Sequence, residues 1–149
     1  MLKMIQLEQP PVRVEDLARH LDIVTKHDPE AGVIGYHGMQ EDGTWYVGYG
    51  DETATSRDAT VAHQLKRIID APFGDSLYPP CDVMATMLRK HYVAEYFAVC
   101  LTLPTRWVER AWRRGEQDVE ALAELFAVTP ESMLFRLKTL RLVEQGVEL

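Results

Sequence analysis

The apolar positions Val14, Leu17, Ala18 and Leu21, just after Pro10-Pro11, recur at intervals of three and four, the period of an amphipathic helix. The pattern then changes. Ile23-Val24, Val33-Ile34-Gly35-Tyr36 and Trp45-Tyr46-Val47-Gly48-Tyr49 are rich in β-branched and aromatic residues, and Glu41-Asp42-Gly43-Thr44 reads as a hairpin turn, so a small, mostly antiparallel sheet is expected. Helical spacing returns in a segment capped by Ser56 or Asp58 and running to Asp70, with Val61, Leu65, Ile68 and Ile69 on its apolar face. Residues 71–80 read as a loop. A longer helix from Asp82 to Leu103 must stop at Pro104. Three short helices follow: Thr105–Arg114 with Gly115 as its stop, Asp118–Phe126, and Pro130–Arg141 with Thr129 as N-cap. The order α, then β, then all α predicts an α+β domain, with helices segregated from one small sheet.

Composition narrows the class. A chain of 149 residues with 46% hydrophobic and 26% charged residues is expected to form one domain with an ordinary core. No apolar run reaches the roughly 18–20 residues of a bilayer span, and residues 1–11 lack a signal-peptide core, so a cytoplasmic protein is expected, with no membrane partner. Cys81 and Cys100 are too few for a disulfide framework and, ~28 Å apart along one helix, cannot pair within it. The net charge of -7 opposes non-specific nucleic-acid binding.

One short stretch carries candidate chemistry. Thr60-Val-Ala-His-Gln-Leu-Lys-Arg67 places His63 and Arg67 four residues apart on one helical face, with Gln64 beside the histidine. Two histidines at that spacing with a glutamate after the first would make the H-E-x-x-H zinc motif, in which the imidazoles hold the metal and the carboxylate activates water. Thirty residues on, His91-Tyr-Val-Ala-Glu-Tyr-Phe-Ala-Val-Cys-Leu-Thr-Leu-Pro104 supplies His91 and Glu95.

Together these segments resemble the ImmA/IrrE family of zinc metallopeptidase-like proteins. The family's T-x-A-H-E-L-G-H helix is matched by residues 60–67. Its E-x-x-A-D/N-x-F-A-x-x-L-L-M-P helix is matched by residues 91–104, with Ala94, Phe97, Ala98, Leu101 and Pro104 in place, and its helical tail by residues 107–112 and 121–137. The resemblance implies a zincin-like fold over the whole chain, with residues 1–104 as the metallopeptidase core and 105–149 as a helical tail of the same domain. It also implies a cytoplasmic regulatory setting, in which family members act on DNA-binding repressors.

The departures fall on the chemistry. His63 keeps the first ligand position, Gln64 replaces the general-base Glu, Arg67 replaces the second His, His91 replaces the third-ligand Glu, and Glu95 takes the Asp/Asn position. A glutamine amide cannot accept a proton as a base, and a guanidinium offers no lone pair to a metal. We therefore expect a non-catalytic binding or regulatory domain with no resident cofactor and an unidentified protein partner, a homodimer being a further arrangement to test. Arg67 is expected to pair with Glu95 as a crosslink in place of the metal. If a metal were held at all, His63 and His91 would hold it. The alternative is a working metal-dependent peptidase with a ligand set drawn from His63, His91 and Glu95, cleaving a repressor-type partner.

Elsewhere, Trp107, Trp112, Phe126, Met133 and Phe135 are expected in the core, and so is Cys100. Cys81 has no catalytic neighbours in the sequence. The tail has a superficial helix-turn-helix look, but bases and acids balance from Thr129 onward, so DNA is not the expected partner.

Overall fold

The structure, a computed structural model, describes residues 9–32, 34–50, 54–79, 82–144 and 146, with the backbone alone described at 54–56 and Asp75. Val33 and Cys81 lie outside the described residues, as does the Ser56 side chain. The elements are α1 (Val14–His20), β1 (Val24–His27), β2 (Tyr36–Met39), β3 (Trp45–Tyr49), α2 (Ala54–Asp70), α3 (Gly74–Leu77), α4 (Val83–Thr102), α5 (Thr105–Arg113), α6 (Val119–Phe126) and α7 (Pro130–Thr139). This is the expected α+β order.

Thr129 forms the N-cap that the sequence predicts, and Asp82 and Asp118, expected as helix starts, prove to be caps as well. Asp82, Asp118 and Thr129 each accept a hydrogen bond from the backbone N–H three residues on, satisfying a donor that the first helical turn leaves open. The second helix differs, because it begins at Ala54, before either expected cap. Asp58 is instead inside α2 and turned toward α1, where its Oδ1 accepts from the Val14 N–H at 3.0 Å. It caps a neighbouring helix across the fold, at a terminus where Arg13 supplies no side-chain cap. The expected loop after α2 contains a 3-10 turn at Ala71–Phe73 and then α3.

The sheet has the order β1-β3-β2. β2 and β3 pair antiparallel around the predicted turn, where Gly43 takes a positive φ of 86° and the Asp42 carboxylate accepts from Thr44 N–H. β1 runs parallel to β3, with Val24 opposite Tyr46. The sheet is thus mixed, and "mostly antiparallel" needs correcting. Alternating side chains say which face is buried but not which way a distant strand runs.

Two hydrophobic cores form. Leu17, Ala18, Val47, Val61, Leu65 and Ala98 bring α1, β3, α2 and α4 together, each large side chain contributing about 1.5–3 kcal/mol on burial. Leu103, Val108, Leu122, Phe126, Met133 and Leu137 form the tail core, and Trp107 packs against both. Phe126 and Met133 are buried and Trp112 partly so, as expected. Phe135 is 49% exposed and Ile69 also faces outward, which corrects two core assignments. Cys100 is only half-buried. Among the described residues no helix is long and apolar enough to cross a membrane.

Candidate functional site

The α2–α4 pairing brings together most of the residues singled out in the sequence. His63 and Gln64 lie on the buried side of α2, each 4% exposed, next to Leu65 in the core. His91 and Glu95, one turn apart on α4, approach from the opposite wall. The His63 and His91 rings are 5.2 Å apart, and His63 Nδ1–H donates to Glu95 Oε1 at 2.7 Å. One ligand atom each from His63, His91 and Glu95 can be chosen so that all three lie within 4.8 Å of one another.

The expected Arg67–Glu95 ion pair does not form. Glu95 is engaged by His63, and the exposed Arg67 side chain lines a neighbouring cavity. The reason is positional. Glu95 lies level with the buried imidazole on α2, while Arg67, a turn further on, has a solvent-facing route that leaves its charge hydrated. The His63 hydrogen bond is also the main influence holding the Glu95 carboxyl below the usual carboxylate range, against burial, which acts the other way.

Gln64 is fully engaged. Its Oε1 accepts from His37 Nδ1–H of β2 at 2.7 Å, and its Nε2 donates to the Ile34 carbonyl at 2.6 Å. That carbonyl fixes the amide orientation, since the flipped amide would set two oxygens against each other. Gly35 makes the approach feasible. It has a φ of 58°, and a Cβ there would meet the Gly48 carbonyl at 2.5 Å and the Thr60 methyl at 2.7 Å. The general-base position has thereby become a pin between α2 and the segment leading into β2.

His37 was not singled out by sequence reasoning. A lone histidine on a short strand has no periodic signature, and only the tertiary pairing with Gln64 reveals it. The same holds for Asp70 and Tyr78. Asp70 accepts from Lys66 Nζ and from the Tyr78 hydroxyl. Burial first, then that hydrogen bond, pushes the Tyr78 phenol up to about 12.

The set of residues does not fit the zinc arrangement that the H-E-x-x-H pattern implies. Arg67 stands at one ligand position with no lone pair to give, and Gln64 is neither basic nor unengaged. A different donor trio does exist in His63, His91 and Glu95. Two imidazoles and a carboxylate are a donor set that zinc accepts. In the present geometry, however, Glu95 serves as the hydrogen-bond partner that orients His63, the role an outer carboxylate plays at metal-bound histidines.

The family model described as the IrrE N-terminal-like domain, a peptidase family, matches residues 24–138. Among solved structures, a Mycobacterium tuberculosis transcriptional regulator superposes with a TM-score of 0.70 at 21% identity. The match covers 93% of this chain and 44% of that one, so the chain spans less than half the length of its structural relative. No curated protein matches the chain.

Proposed function

The chain belongs to the family of IrrE N-terminal-like domains, and from that premise we propose that it is a regulatory domain which has kept the peptidase architecture and given up hydrolysis. The observation that carries this reading is the state of Gln64. Where a peptidase needs a carboxylate facing a water molecule, this chain has a buried amide whose oxygen and nitrogen are both committed to holding β2 and the Ile34 carbonyl against α2. His37 donates its Nδ1–H to the same amide, so that nitrogen offers no lone pair there.

The partner in this reading is a protein, consistent with the printed description of the structural relative as a transcriptional regulator. The chain would act by binding that partner, with no cofactor required. A cytoplasmic setting follows from the same reading. The test is a degradation assay of a co-expressed repressor-type protein with and without this chain, run alongside metal analysis of untagged protein. Unchanged repressor and substoichiometric metal support the proposal. Zinc-dependent cleavage would overturn it.

The trio of His63, His91 and Glu95 favours a second reading, in which a metal ion is held without the family's ligand set. The bound ion would supply Lewis acidity at the cleft, and the chain's own contribution would be to orient His63 through Glu95. One equivalent of zinc per chain, lost in His63→Ala and in His91→Ala, would establish it.

A further inference from the structure

Beside the histidines, β2, α2, the segment after α2 and the N-terminal half of α4 enclose a cavity of about 200 Å³. Lys66, Arg67 and Lys90 line it, with Asp70 as the one carboxylate among the described lining residues. This is a local excess of positive charge in a chain whose net charge is -7. Asp70 does not offset all three cations. It is buried and already accepts from Lys66 and from Tyr78, so Lys66 is matched while Arg67 and Lys90 have no carboxylate partner among the described residues.

We infer that this cavity is a binding site for a small oxyanion, a phosphate or carboxylate group, contacted by Arg67 and Lys90. The two cations differ in a useful way. Arg67 presents a planar fork that matches two oxygens of one anion, and Lys90 adds a point charge from the facing helix. Lys90 is steered by the Tyr78 ring, with its Nζ 5.4 Å from the ring centroid. Tyr78 itself brings no negative charge at neutral pH, because its phenol keeps its proton up to about 12. The volume is ample for a small oxyanion and part of its hydration shell. The site requires neither a metal nor hydrolysis, so it stands whether or not the chain is a peptidase.

The experiment is calorimetric titration of the full chain with inorganic phosphate and with acetate, against chloride at matched ionic strength, paired with thermal unfolding. Saturable binding of either anion is expected, with a rise in Tm of roughly 5–10 °C at a hundred times its Kd. Preference for phosphate would identify a phosphate or phosphorylated group as the natural ligand, and preference for acetate a carboxylate. Arg67→Gln with Lys90→Gln should weaken binding at least tenfold while leaving the anion-free Tm nearly unchanged. Arg67→Lys, which keeps the charge and loses the fork, should fall between, and Arg106→Gln on α5 should bind like the parent. Arg67→Gln alone preserves the readout should the double variant be unstable. Affinity equal to that of the parent in the variants, or no heat above the chloride control at 100 mM anion (about ten times a weak, ~10 mM Kd), would overturn the inference.

Discussion

Arg136 in the tail and His63 in the cleft are polar side chains about as buried as the leucines around them, and the fold uses them in opposite ways. Arg136 of α7, 5% exposed, donates from Nε to the Leu103 carbonyl at 3.0 Å, from Nη2 to Thr105 Oγ1 at 2.8 Å, and weakly to Cys100 Sγ. Its donors therefore close the turn between α4 and α5, where the C-terminus of one helix leaves carbonyls open and Pro104 cannot donate to them. Among the described residues the His63 side chain hydrogen-bonds a half-exposed carboxylate, and its ring lies beside that of another histidine. The tail converts a buried charge into structure. The cleft keeps two imidazoles side by side, and cations line the cavity next to it.

The contrast can be broken, and the tail is where the effect should be largest. Arg136→Ala removes three donors and leaves the Leu103 carbonyl buried and open, so unfolding should cost about 2–4 kcal/mol less and Tm should fall by roughly 5–15 °C. A change under 0.5 kcal/mol in urea denaturation would mean that the tail charge is as dispensable as those of the cleft.

Gln64→Glu tests whether the base position is structural. A carboxylate there cannot donate to the Ile34 carbonyl and sets two oxygens together, so a loss of about 1–3 kcal/mol is expected at neutral pH. The new carboxyl would titrate upward in the fold. Its contribution to stability is then fully present below its unfolded pKa and lost as pH rises through the folded one, so the loss should shrink in acid. Peptidase activity in this variant, with stability intact, would instead mean that the parent lacks only the carboxylate.

Asp58 extends the comparison to a half-buried polar contact. Burial is the main influence raising its carboxyl above the usual range, partly offset by the Val14 N–H it accepts. A raised carboxyl favours the folded state below the unfolded pKa, and that contribution declines as pH rises through the folded value. Asp58→Asn keeps the acceptor without the charge. The two proteins should unfold alike at neutral pH or with the variant ahead by less than ~1 kcal/mol, and the parent should gain on the variant as pH falls through the acid range. The measurement is a pH series of thermal melts.

Arg67→Ala should be the mildest, within about 0.5 kcal/mol, because the side chain is exposed and makes no pair with Glu95. A large drop in Tm would restore the helix-to-helix crosslink that the sequence suggested.

What could be read in advance follows the range of the interaction. The helix starts at Asp82 and Asp118, the cap at Thr129, the stop at Pro104 and the turn at Gly43 rest on contacts between residues a few positions apart, and each stands where the sequence predicts. Asp58 misled because it has the right chemistry for a cap and serves a helix 44 residues away. Phe135 has core chemistry on an exposed face. The direction of β1, the partner of Glu95, and the pin formed by His37 and Gln64 all depend on which elements lie side by side, and no local spacing encodes that.

By itself, the sequence determined the α+β order, the helix starts at Asp82, Asp118 and Pro130, the family, and the loss of the carboxylate and second histidine that define the zinc motif. Those are properties of residue type and short-range spacing. Tertiary structure decided that His63 hydrogen-bonds Glu95, that Gln64 became a structural tie, and that Arg67 joins Lys90 around a cavity. The direction of a buried side chain is set by competition among every acceptor within reach, and those acceptors assemble only when α2, α4 and β2 pack.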